Sequence, residues 1–231
     1  MKLSILKRLA PESLFFCIVD DMIASKTKPS SQTLHPIEDA YFRQFHLKEK
    51  QDYGHQAVAV MLSCNGIVLN YTLVMYNKSI PKINIVQNLA KELPVPPVMS
   101  YFLCDCWYTS EKIINIFATK GFHTIGALKT NRMLYLFGIK KILSEFAVFL
   151  SVTRSDFSFV TAKNQQSVYR YEGKLNGIES GVILLIYLSK AFGNPKVLRA
   201  FLSTDVSLST EAILSYYVCR WSIEFFLPMQ G

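Results

Sequence analysis

Tyr217, Arg220 and Glu224 stand three and then four residues apart near the end of this 231-residue chain. On a helix of about 3.6 residues per turn those spacings place a phenol, a guanidinium and a carboxylate on one face. A carboxylate beside an arginine suits a metal-assisted site acting on a phosphate. Two further acids close apolar runs upstream. Asp20 follows Leu14–Val19, and Asp105 follows Val98–Cys104. If these runs are neighbouring strands, both carboxylates emerge at the same sheet edge, where ligands of such sheets bind. Three carboxylates make an oxygen-only site for Mg²⁺ or Mn²⁺. Two such ions, about 3.5–4 Å apart, activate the attacking oxygen and stabilise the leaving one in an in-line displacement. The acids would then be ligands, not general acids.

Each residue also has a plainer reading. An Asp after an apolar strand is often the first loop residue. Glu224 alone reads as a solvated helix residue, and Arg220 and Tyr217 alone read as partners of nearby groups. Asp21 is the alternative to Asp20 as ligand. Strand alternation sends the two side chains to opposite faces, and Asp20, directly after Val19, is favoured.

The elements that must position these groups follow from local patterning. The Leu14–Val19 run reads as a buried central strand. Residues 25–53 are polar and read as a long loop. His55–Cys64 and Ile67–Tyr76 flank Asn65-Gly66, the pair that a type I′ hairpin turn favours because both positions need positive φ. Lys82–Leu93 has helical spacing and is ended by prolines. Val98–Cys104 is the next strand. A helix follows, with Thr109 as N-cap and Gly121 as its stop, then a strand over Phe122–Leu128. The order β-β-β-α-β-α-β predicts an α/β fold with a mixed sheet: three antiparallel strands, then alternating helices and strands, with helices against its faces. Residues 151–203 read as a mostly β insertion, with strands near 167–171, 182–188 and 198–202. Residues Ser207–Phe226 return to helix, capped by Ser207 or Ser209, with Ile213, Leu214, Tyr217 and Trp221 on its apolar side.

Composition bounds the partners. Half the residues are apolar, enough for a sizeable core. There are 25 Lys and Arg against 17 Asp and Glu, for a net charge of +8. That excess favours a polyanion, nucleic acid above all, over a merely solvated basic surface. The five cysteines include no CxxC, which argues against zinc, and their odd number argues against a disulfide framework. A reducing cytoplasm is the expected compartment. The longest apolar runs are strand-sized, so no membrane partner is expected.

Taken together, Phe-Cys-Ile-Val-Asp20-Asp21-Met, Tyr-Phe-Leu-Cys-Asp105-Cys-Trp-Tyr-Thr and Tyr217-x2-Arg220-Trp-Ser-Ile-Glu224 resemble, in this order, the DDE transposases of bacterial insertion sequences. More narrowly, they are similar to the branch with a Tyr-x2-Arg-x3-Glu-x6-Lys signature. Gly54-His55, the 120–126 stretch, Lys129-Thr-Asn-Arg132 and Leu202-Ser-Thr-Asp205-Val-Ser-Leu208 extend the likeness, which spans about residues 14 to 227. The resemblance implies a ribonuclease-H-like catalytic core in two parts, residues 14–150 and the final helix in 204–231, separated by the β-rich insertion at 151–203. It implies Asp20, Asp105 and Glu224 as ligands of two Mg²⁺ or Mn²⁺ ions. It also implies that Tyr217 and Arg220 contact the DNA backbone near the element end, and that Lys129 and Arg132 track phosphates. The activity would be phosphodiester hydrolysis and strand transfer at element ends and target. The partners would be DNA and, in an oligomer, a second copy or a full-length transposase.

Three departures accompany the likeness. Met22 stands where the family usually has Thr, position 231 is Gly where the signature has Lys, and only about a dozen residues precede the first strand. They lead to the expectation of a degenerate fragment shortened at both ends. The rival readings are a catalytically silent DNA-binding or regulatory fragment and a stand-alone ribonuclease-H-like nuclease.

Overall fold

The computed structural model describes residues 13–27, 37–45, 50–77, 79–96, 98–136, 138–151, 157–160, 166–188 and 191–221. Its centre is built by β1 (Phe15–Ser25), β3 (Lys50–Cys64), β5 (Ser100–Cys104) and β6 (Phe122–Leu128). β1 runs antiparallel to β3 and parallel to β5, which is parallel to β6. β4 (Ile67–Tyr76) returns along β3. The connecting turn has Asn65 at φ 48° and Gly66 at φ 77°. Both lie in the left-handed region, as a type I′ turn demands.

The predicted order is therefore present, and the sheet is larger than predicted. The sequence reading treats residues 25–53 as a loop. Instead β2 (Tyr41–Phe45) pairs with the first five residues of β3, from Tyr41 against Gly54 to Phe45 against Lys50. β3 outruns β4, so its far end offers an open edge, and the Phe42 ring packs 5.1 Å from that of Tyr53. A partner strand, not local propensity, makes this segment extended. After β6 come a short hairpin, β7 (Met133–Leu136) and β8 (Ile139–Ile142), and a helix, for which the sequence reading had no assignment. β10 (Gln166–Leu175), β11 (Ile178–Leu188) and β12 (Arg199–Ser203) continue the same sheet, with β9 (Ser158–Val160) beside β10. The strand order is β2-β3-β1-β5-β6-β12-β11-β10-β7-β8. The strands of residues 158–203 thus attach to the outer edge of β6 through β12.

Among the described residues four α-helices cover the sheet: α1 (Lys82–Glu92), α2 (Glu111–Thr119), α3 (Leu143–Ser151) and α4 (Thr210–Val218). Strand alternation sorts the core into two faces. Phe15, Cys17 and Val19 of β1 pack with α1 and α2. Phe16 and Ile18 face the other way, with Tyr101, Leu103 and Ile125, against Ile213 and Tyr217 of α4. α3 covers β10–β12 through Phe146, Ala147 and Leu150. A large mixed sheet with helices on both faces is a ribonuclease-H-like arrangement.

Two helix starts refine the prediction. Ser110, not Thr109, is the N-cap of α2. Thr109 is fully buried, and its hydroxyl donates to the Cys106 carbonyl (3.2 Å). Ser209 caps α4 and accepts from the Ala212 N–H (3.1 Å). α4 then tightens to a 3-10 turn over Cys219–Trp221. A 3-10 turn has about three residues per turn, which rotates the side chains off the α-helical stripe. Trp221 is exposed as a result, and Arg220 is the buried member of that turn.

Candidate functional site

The parallel ladder of β1 and β5 ends with Val19 opposite Cys104. The next residue on each strand is an aspartate: Asp105 directly follows the last residue of β5, whereas Asp20, expected from the sequence to close its strand, lies within β1, which runs on to Ser25 because it stays paired with β3. Asp20 follows Ile18 by alternation, on the α4 face. Asp21 shares the opposite face with Val19. The choice between the two acids is thus resolved into two environments.

On the α4 face, Arg220 Nη1 donates to Asp20 Oδ2. Arg220 is only 8% exposed, lies 5.6 Å from the centre of the Tyr217 ring and hydrogen-bonds that phenol. Burial alone would lower the pKa of this guanidinium, but the charge of Asp20, with smaller support from Tyr217 and Asp105, outweighs it, and the net shift is upward. Burial also dominates at Asp20. Against the pull of Arg220, burial, with the nearby Asp105 charge adding to it, lifts the carboxyl to about 6. Asp105 is likewise shifted up, by burial first and by the neighbouring acids, although it accepts the Trp107 N–H (2.9 Å). Burial holds the Tyr217 phenol protonated, with its pKa raised to about 12.

Two half-buried carboxyls with upward shifts form a cluster short of positive charge. Oxygen-only donors in that state have the chemistry that hard divalent cations satisfy. The carboxylate oxygens of Asp20 and Asp105 are donors of the type that a Mg²⁺ or Mn²⁺ ion takes. Among the described residues no set of three or more His, Cys, Asp or Glu is grouped to hold a metal. The third predicted ligand, Glu224, lies outside the described residues. The nearby thiol of Cys104 belongs to the opposite core face, and burial pushes its pKa well up, so it stays a neutral packing group.

On the opposite face, the two Asp21 oxygens are divided. Oδ1 accepts from the Tyr108 hydroxyl and Oδ2 from Lys82 Nζ, the first residue of α1. Lys129 lies at the rim beyond Asp105, its Nζ 3.7 Å from the centre of the Trp107 ring. Trp107 itself is 59% exposed. Arg132 is used differently. Its guanidinium donates to the Thr109 carbonyl (2.8 Å) and the Asn176 carbonyl (3.0 Å), pinning the loop after Asp105 to the β10–β11 turn.

Sequence reasoning missed the parts that aim α4. Asp205, nearly buried, accepts from the Tyr101 hydroxyl (2.8 Å), the Ser207 N–H (3.0 Å) and the Ser207 hydroxyl (2.6 Å). Arg170 on β10 donates to the carbonyls of Leu208 (2.8 Å) and Val206 (3.1 Å). Together they fix the loop from which α4 starts, and so the depth at which Arg220 meets Asp20. The Ser-Thr-Asp-Val-Ser string was the available signal for this loop. Arg170 carries no local signal.

A comparison with curated proteins gives no match. A family model for the transposase DDE domain matches residues 16–227, which include both aspartates, the β-rich stretch and α4. With that match over nearly the whole length, the chain belongs to the DDE transposase domain family.

Proposed function

We propose that this chain cuts and rejoins DNA phosphodiesters, with Asp20 and Asp105 holding divalent metal ions and Glu224 as the third ligand. The observation that carries the reading is the juxtaposition of Asp20 and Asp105 across the end of a parallel strand pair, with Arg220 reaching the same face. Divalent ions in such a site activate an attacking oxygen and stabilise the leaving one. The protein's own groups do the rest. Arg220, held by Asp20 and Tyr217, supplies a fixed positive charge where a phosphate would approach. Lys129 and the net charge of +8 draw the DNA backbone to this rim. Asp20 is assigned as ligand because it shares the α4 face with Arg220, whereas Asp21 turns to Tyr108 and Lys82 on the other face. The insertion-sequence assignment, the role of residues 151–203 as an insertion in the core, and assembly with a second copy or a longer transposase belong to the same proposal.

The test is nicking of supercoiled DNA with Mn²⁺. Wild-type protein should convert it to open circles, and Asp105→Ala and Asp20→Asn should lose at least about a thousandfold in rate, the scale of losing a principal electrostatic element of a site. Salt-sensitive DNA binding with no nicking by the wild-type chain would favour the silent, DNA-binding reading instead.

A further inference from the structure

The backbone ladder between β1 and β5 stops at Val19 and Cys104, one residue short of both carboxylates. β1 continues to Ser25, but along β3 alone. The separation of Asp20 and Asp105 is therefore not set by main-chain pairing between their own strands. A side-chain path on the opposite face closes this gap. Asp105 accepts the Trp107 N–H (2.9 Å), and its carbonyl accepts the Tyr108 N–H (3.3 Å), so the turn after β5 is wound on Asp105 itself. Tyr108 at the end of that turn is 1% exposed, packed in the α1–α2 core. Its hydroxyl reaches across to Asp21, the residue next to Asp20. Lys82 holds the other Asp21 oxygen and so prevents that carboxylate from turning away.

We propose that Tyr108 and Asp21 form a strap that sets the distance between Asp20 and Asp105, making Tyr108 a positioning residue for divalent-ion binding. The inference rests on the two-carboxylate site proposed above. A phenol–carboxylate bond in a buried setting is directional, and it fixes one loop against the other where the ladder no longer does. Supporting bonds behind metal ligands control affinity, and losing one typically weakens binding about 10–100-fold. The packing of Tyr108 is nearly unchanged in Tyr108→Phe, which removes only the hydroxyl.

The test is Mn²⁺ binding to the full chain, read from the loss of free-ion signal in electron paramagnetic resonance, alongside the melting temperature of each variant. Tyr108→Phe should raise the Mn²⁺ Kd about tenfold. Asp21→Ala, which deletes the other half of the bond, should do the same. Asp21→Asn, which keeps an acceptor for the tyrosine while losing the charge, should stay close to wild type. A lowered melting temperature with an unchanged Kd in Tyr108→Phe would make the contact merely structural and overturn the proposal. Equal weakening by Asp21→Asn and Asp21→Ala would also overturn it, by assigning the effect to charge. If the wild-type chain binds no Mn²⁺, the two-carboxylate site itself fails and the strap's role falls with it.

Discussion

Arg220 and Asp20 are the pair on which the site's electrostatics turn. Both side chains are largely buried, at 9% and 15% exposed. Replacing Arg220 with Met leaves the Asp20 carboxylate beside Asp105 without its nearest counter-charge. Breaking a buried pair by removing one partner costs about 3–5 kcal/mol. Arg220→Met should therefore lower unfolding stability in urea by about 3 kcal/mol. Adding Asp20→Asn should recover much of the loss, because no uncompensated carboxylate then remains at that position. A loss in the double variant equal to the sum of the two single losses would mean that the pair is not coupled. Asp21, one residue away, shows how little sequence distance says about role. It faces a lysine and a tyrosine in another core.

Elements hold these residues where the backbone comes unusually close. Gly126 lies on β6, opposite Cys104. A Cβ there would sit 2.4 Å from the Thr109 methyl carbon and 2.9 Å from the Cys104 sulfur. Only glycine lets the turn after Asp105 rest on the neighbouring strand. Gly126→Ala should cost about 1–3 kcal/mol by overpacking and should move the Asp105 loop outward. Thr109→Ser deletes the clashing methyl, so in the Gly126→Ala background it should recover part of the lost stability, as measured by thermal unfolding, while the contact with the Cys104 sulfur keeps the rest of the cost. The loop before α4 is tuned by charge. Burial tends to raise the Asp205 carboxyl, but the bonds from Ser207 and Tyr101 outweigh it and hold it below its ordinary value. The unfolded chain therefore binds that proton at a higher pH than the folded one does. The contribution of Asp205 is fully present above the ordinary carboxylate value of about 4, and it is lost as pH falls through the lower folded value. The stability difference between wild type and Asp205→Asn should be constant from pH 5 to 7 and should shrink below about pH 4.

At the scale of the whole molecule, the sheet begins with a ribonuclease-H-like core and continues through β12, β11 and β10, and the full chain carries a formal charge of +8. DNA affinity should fall steeply with salt, because each neutralised phosphate releases counterions. Lys129 sits at the rim beside Trp107, so Lys129→Ala should weaken DNA binding of any sequence and reduce the slope of log K against log salt by about 1. Arg132→Ala should leave that slope unchanged while lowering stability, because its guanidinium is engaged by two main-chain carbonyls. Among the described residues no helix is long and apolar enough to cross a membrane.

Much of the centre was legible because its signals are local. Continuous apolar runs mark β1 and β5, Asn65-Gly66 marks the β3–β4 turn, and 3.6-residue spacing marks α1 and α2. Those signals also placed Asp105 just after a strand end, but they ended β1 at Val19, whereas pairing with β3 carries it past Asp20 to Ser25. What they could not carry is pairing between distant segments. β2 is extended because β3 overhangs it, and the Tyr108–Asp21 bond joins residues 87 apart. Arg132 and Arg170 serve carbonyls that no local pattern reveals. Periodicity and turn chemistry are properties of a few consecutive residues, so the sequence alone determined the central elements and the candidate acids. Which acid faces which core, and what each cation touches, depends on contacts between residues far apart in the chain, so the tertiary structure decided them.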